Sequence, residues 1–105
     1  RDYKVTGVQT CALPIFTAAR HADLVVGNTA KVLGIELLCA AQGLDLGEPL
    51  APGKGVQAGY RAVRKRVQGL EGDRYLAPDL AAAEALILDG TLVAAVEAKL
   101  GALAV

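Results

Sequence analysis

Val32-Leu-Gly-Ile-Glu-Leu-Leu-Cys-Ala-Ala-Gln42 is apolar on nearly every face a helix would present, and this decides the fold. It ends a proline-free run, residues 17 to 44, that reads as one long helix. Arg20, Asp23, Asn28 and Lys31 mark a polar stripe on its first half. A helix apolar all round is normally buried on every side. A chain of 105 residues holds only a modest core and can hardly surround it. The segment is therefore expected to belong inside a larger helical assembly. Without that assembly, Leu33, Leu37 and Leu38 are expected to stay partly exposed.

Outward from this helix, residues 45 to 55 read as a loop, because three glycines and two prolines leave little else available. Val56, Tyr60, Val63 and Val67 recur at spacings of four, three and four, which predicts an amphipathic helix over 56–67. Gly69 to Ala77 is a connector. Pro78-Asp79 opens a third helix, with proline tolerated in the first turn and a carboxylate near the positive helix end. Asp89-Gly90 stops it near residue 88. Thr91 is the expected N-cap of a fourth helix over 91–100, with Leu92, Val93, Val96 and Leu100 on its apolar face. No segment alternates with period two, so no sheet is expected. The fold class is all-α.

Val5-Thr-Gly-Val-Gln-Thr-Cys-Ala-Leu-Pro-Ile15 stands apart. It is similar, without a mismatch, to one translated frame of a common short-read sequencing adapter. Residues 1–15 are therefore expected to be a non-native, adapter-derived segment with no defined packing. Residues 16–105 are expected to be the tail of something longer.

Composition excludes several functions. Eleven basic residues balance eleven acidic ones, so no net field draws the chain to nucleic acid or to an anionic membrane. The chain contains no serine and one histidine, which excludes a Ser-His-Asp triad and a zinc site of several histidines. Cys11 lies in the adapter-like run. Cys39, left alone, reads as a small buried hydrophobe. Val32 to Ala41 is interrupted by Glu36 and falls far short of the ~20 residues a bilayer requires. A soluble, cytoplasmic protein is expected.

Five features bear on chemistry. Gly53-Lys54-Gly55 lacks the P-loop frame and its Ser/Thr, so it reads as a flexible start to a helix rather than a phosphate cradle. The basic run Arg61 to Arg66 has no interleaved aromatics and reads as a solvated face, salt-bridged to Glu71 and Asp73, rather than a nucleic-acid patch. His21 reads as a surface or interface histidine, since Asp23 is off its face. Glu36, alone in an apolar helix, suits a buried ion pair better than an active-site role. Cys39 is the fifth.

With those residues laid out, Asn28-Thr-Ala-Lys-Val-Leu-Gly-Ile-Glu-Leu-Leu-Cys-Ala-Ala-Gln-Gly-Leu-Asp-Leu46 resembles the late central helix of the histidine ammonia-lyase family, whose pattern is close to N-T-x-x-V-L-A-I-E-L-L-x-A-x-Q-x-L-D. Thr17-Ala-Ala-Arg20, Pro52-Gly-Lys-Gly55 with Tyr60 and Val63-Arg64, then Asp73-Arg74 and Leu76-Ala-Pro-Asp79 follow in the family's order. Gly34 stands where the family usually has alanine, and Leu80 where it often has isoleucine.

The resemblance implies the C-terminal helical part of an aspartase-like helical-bundle lyase. It implies loss of ammonia from L-histidine to give urocanate, in a homotetramer. The family's electrophile, a methylidene-imidazolone, forms from an Ala-Ser-Gly tripeptide that this chain does not contain. The family's glutamate-bearing catalytic segment would fall just before Thr17, where the adapter-like run lies. No catalytic, cofactor-binding or metal residue is therefore carried over, and these residues alone are expected to be inactive. Glu36 matches the glutamate of the I-E-L-L pattern and is taken as structural. A phenylalanine or tyrosine lyase or aminomutase, and an autonomous helical interaction module, remain alternatives.

Overall fold

The computed structural model describes residues 8–104, with side chains from residue 12 onward. They form four helices: α1 (Val8–Leu46), α2 (Lys54–Arg64), α3 (Ala77–Leu88) and α4 (Thr91–Leu100). No strand occurs among the described residues, so the all-α expectation holds. α3 lies along α1, and α2 pairs with α4. The molecule measures 66 × 37 × 17 Å. Since one helix with its side chains is roughly 10–12 Å across, a body this thin cannot wrap α1.

The core is small and built of small residues. Ala30, Ala41, Ala62, Val63, Val67, Ala83 and Leu86 are buried, and of these only Leu86 and Val63 are large side chains fully removed from solvent. Leu37, Leu38, Tyr60 and Ala82 pack partly buried around the centre. At Gly34 in α1 a Cβ would sit 3.1 Å from the Glu84 backbone nitrogen and 3.5 Å from the Ala83 Cβ. The missing side chain lets α3 lie directly on α1. Outside this line α1 is bare: Leu24, Val25, Val26, Val32, Leu33 and Ile35 are exposed. Leu33 is open, and Leu37 and Leu38 are half-covered, as the all-round apolarity of the segment implied.

Several boundaries differ from the sequence reading. α1 begins at Val8, not near residue 17, and runs through Pro14. An existing helix elongates without repeating its nucleation cost, so residues of any origin can be drawn into it. Leu13, Ile15 and Phe16 are exposed, but so is most of α1 up to Thr29, so exposure marks no boundary at residue 16. α2 stops at Arg64, yet Val67 remains buried because its amide donates to the Val63 carbonyl in a final turn. Gly90, with φ of 76°, ends α3 as expected, but it also caps α4. Thr91 lies inside the helix and makes no side-chain cap. Asp89 instead accepts a hydrogen bond from the Thr91 amide at 2.9 Å.

By length and composition alone, Ala12–Leu46 within α1 would also pass for a bilayer-spanning helix, a longer stretch than the sequence reading allowed. Apolar helices at the centre of large helical proteins share that composition.

Candidate functional site

The densest polar constellation joins the end of α1 to α2. Gln42 and Asp45 lie one turn apart on α1, and Tyr60 and Arg64 lie one turn apart on α2, so each pair shares a face. The Tyr60 hydroxyl donates to Asp45 Oδ1. Arg64 Nη2 donates to Asp45 Oδ2 at 2.5 Å and to Gln42 Oε1 at 3.5 Å. Arg64 Nη1 reaches the Val67 carbonyl at 3.2 Å, and the guanidinium lies 5.5 Å from the centre of the Tyr60 ring. Gln42 also pairs with the Leu70 backbone in both directions, at 3.2 and 2.9 Å.

The electrostatics follow from those contacts. The Tyr60 hydroxyl, and after it Arg64, hold the Asp45 carboxyl below its ordinary value. Conversely, Asp45 retains the Tyr60 proton and pushes the phenol up. Each group is locked in its resting protonation state. A general base requires the opposite, a value brought toward neutrality. The constellation is a clamp between α1 and α2.

Two further ion pairs fix the connectors. Arg74 Nε donates to Asp79 at 2.9 Å, and its other nitrogens hold the Gly69 and Gln68 carbonyls at 3.0 and 2.7 Å. Arg66 bridges to Asp89 and to the Thr91 hydroxyl, both at 3.0 Å. Asp89 is lowered to about 2, first by hydrogen bonds from Thr91 and then by Arg66.

The residues singled out from sequence are not gathered into a site. His21 is exposed on α1. Glu36 is exposed too, and no ion pair holds it among the described residues, contrary to the buried pair expected. Cys39 is exposed rather than buried. Both corrections have one cause: apolar neighbours along a helix signal burial only when another element covers that face, and here α3 covers only the Gly34 side. Lys54 opens α2 with no strand before it. Within the basic run, Arg64 and Arg66 pair with Asp45 and Asp89 rather than with Glu71 and Asp73. No three His, Cys, Asp or Glu side chains converge to hold a metal among the described residues.

The remaining cavities are grooves. One of about 540 Å³ runs between α1, α2 and α4, lined by Leu37, Val63, Leu92, Val96 and Leu100. Another of about 400 Å³ lies between α1 and the α2–α3 connector, with Ile35, Leu38, Leu46 and Leu80 in its wall. Apolar grooves of this kind suit packing against further helices.

Comparison with known proteins agrees with a helical scaffold. The family model for aromatic amino acid lyases matches residues 14–65. Over 87 residues, or 83% of this chain, the sequence is 52% identical to a histidine ammonia-lyase of Symbiobacterium thermophilum. It is 46% identical over 87 residues to one of Gloeobacter violaceus, and 44% identical over 90 residues to one of Streptomyces avermitilis. The chain belongs to the aromatic amino acid lyase family. It spans 17% of the length of the first two of these relatives and 18% of the third. No solved structure matches it.

Family membership gives the clamp its meaning. Gln42, Asp45, Tyr60, Arg64, Arg74 and Asp79 are residues on which the likeness to the lyases rested, and they are the residues the hydrogen bonds join. In this chain those patterned polar residues hold helices and connectors together. The sequence reading missed that role. The signal was present in the one-turn spacings of Gln42 with Asp45 and of Tyr60 with Arg64. The family's electrophile does not fit these residues, because its serine precursor does not occur in the chain.

Proposed function

We propose that this chain supplies C-terminal scaffold helices to an ammonia-lyase that converts L-histidine to urocanate and ammonia. The observation that carries this reading is the 44–52% identity to proteins named histidine ammonia-lyase. On this reading residues 16–105 are the lyase part and residues 1–15 are foreign to it. The exposed faces of α1 are then covered by the rest of the enzyme and by the other subunits of a cytoplasmic homotetramer. The 105-residue chain alone is inactive, since it cannot form the electrophile.

The test is to recover the full-length coding sequence by extending reads upstream of Phe16, express it, and follow urocanate by its ultraviolet absorbance. Histidine-dependent urocanate formation is expected from the full-length protein and none from the 105 residues. Release of cinnamate or coumarate instead would keep the family and change the substrate. Urocanate formed by the short chain would overturn the reading.

A further inference from the structure

We propose that the cleft between α2 and α4 binds a small, multiply charged phosphate compound. The cleft, of about 600 Å³, is lined by Arg61, Lys65, Arg66 and Lys99, with Thr91 and alanines completing the wall. No carboxylate lines it. Arg66 is partly neutralised by Asp89. The side chains of Arg61, Lys65 and Lys99 have no ion-pair or hydrogen-bond partner among the described residues, and all three are exposed.

The alanines explain how this convergence arises. Ala58 and Ala62 on α2 and Ala95 and Ala98 on α4 line the cleft. Such small side chains leave room between the helices, and cations rooted on both reach the same space. Gathering like charges is unfavourable unless a counter-charge enters. It is the more notable in a chain whose total charge is zero.

The ligand class follows from charge and shape. One carboxylate would leave most of the cluster uncompensated. A phosphate ester or diphosphate carries several charges on tetrahedral oxygens. A guanidinium fork such as that of Arg61 grips two of them, while ammonium groups such as Lys65 and Lys99 act as point charges. On the same wall the Thr91 hydroxyl accepts from Arg66 and helps fix that guanidinium at the cleft. A nucleic-acid duplex needs a longer basic track than one cleft between two helices of 11 and 10 residues.

The test uses the full-length protein that carries this sequence and titrates it calorimetrically with pyrophosphate at fixed ionic strength. The readout is binding, so it stands whether or not histidine proves to be the substrate. One saturable site per chain is expected. Lys65→Gln with Lys99→Gln should weaken it by about tenfold or more, and Arg61→Gln by a similar factor. Lys31→Gln, an exposed lysine on α1, should leave it unchanged. Because these side chains are exposed, circular dichroism should show each variant folded. Absence of saturable heat, an equal loss in Lys31→Gln, or tighter binding of duplex DNA than of pyrophosphate would each overturn the proposal.

Discussion

Arg64 and Asp45 meet at 2.5 Å across the loop that joins α2 to α1. Their side chains are only 16% and 25% exposed, so the pair is shielded more than a surface bridge. Tyr60 and Gln42 tie into the same two groups, so the contact is one edge of a network. Removing Arg64 would strand the Asp45 carboxylate against Tyr60 with half its partners gone. Arg64→Ala should cost about 1–3 kcal/mol of stability, measured by urea unfolding followed by circular dichroism. The pH dependence has a definite sign. Asp45 is lowered from its ordinary 3.8, so its contribution is complete above that value and is lost as pH falls through the lower folded value. In Arg64→Ala that acid sensitivity should shrink.

Asp89 offers a sharper titration. It is lowered to about 2, with the hydrogen bonds from Thr91 as the largest cause and Arg66 last. The stability it lends is therefore present above 3.8 and lost on acidification toward 2. Carbon-detected NMR of the Asp89 carboxyl should give a midpoint near 2. Thr91→Val should raise that midpoint more than Arg66→Gln does. The reverse order would mean that the arginine, not the turn, holds the carboxylate.

Gly34 sits where helix preference and packing oppose each other. Alanine in a helix interior is favoured over glycine by about 1 kcal/mol. The added Cβ would lie 3.1 Å from the Glu84 backbone nitrogen, and backbone yields less readily than a side-chain tip. Gly27 and Gly43 have nothing within 4 Å of the same atom. Gly27→Ala and Gly43→Ala should each stabilise the chain by up to about 1 kcal/mol. Gly34→Ala should fall short of them, because α3 must retreat by a few tenths of an ångström. Differences in thermal midpoint among the three variants measure the contact directly.

Helices were readable because their signals are local. The glycines and prolines of residues 45–55, Pro78-Asp79 and Asp89-Gly90 each act within a turn, and the chain changes course at all three. The start of α1 was not readable, because the adapter-like run has no breaker strong enough to stop a helix already formed behind it, even with Pro14. Cys39 and Glu36 were misplaced for a different reason. Their burial depends on what lies across from α1, and that is not written in their own neighbours. The clamp was hidden because Asp45 and Arg64 are nineteen residues apart and meet only once the connecting loop has closed. The likeness to the lyases marked the right residues without revealing their work.

Leu33 and Leu86 together test whether α1 is waiting for the rest of a larger protein. Leu86 is fully buried between helices of this chain, while Leu33 on α1 is 42% exposed. Leu86→Ala should cost about 2–5 kcal/mol in any context, through lost burial and the cavity left behind. Leu33→Ala should cost little in the 105-residue chain, because a half-open side chain gives up little contact. In the full-length lyase, where further helices are proposed to cover that face of α1, the same substitution should cost about 2 kcal/mol or more. Denaturant midpoints for the short chain and thermal unfolding of the full-length protein give the two comparisons. If Leu33→Ala is as harmless in the full-length protein as in the short chain, that face of α1 is open in both, and the apolar run Val32–Ala41 needs another explanation.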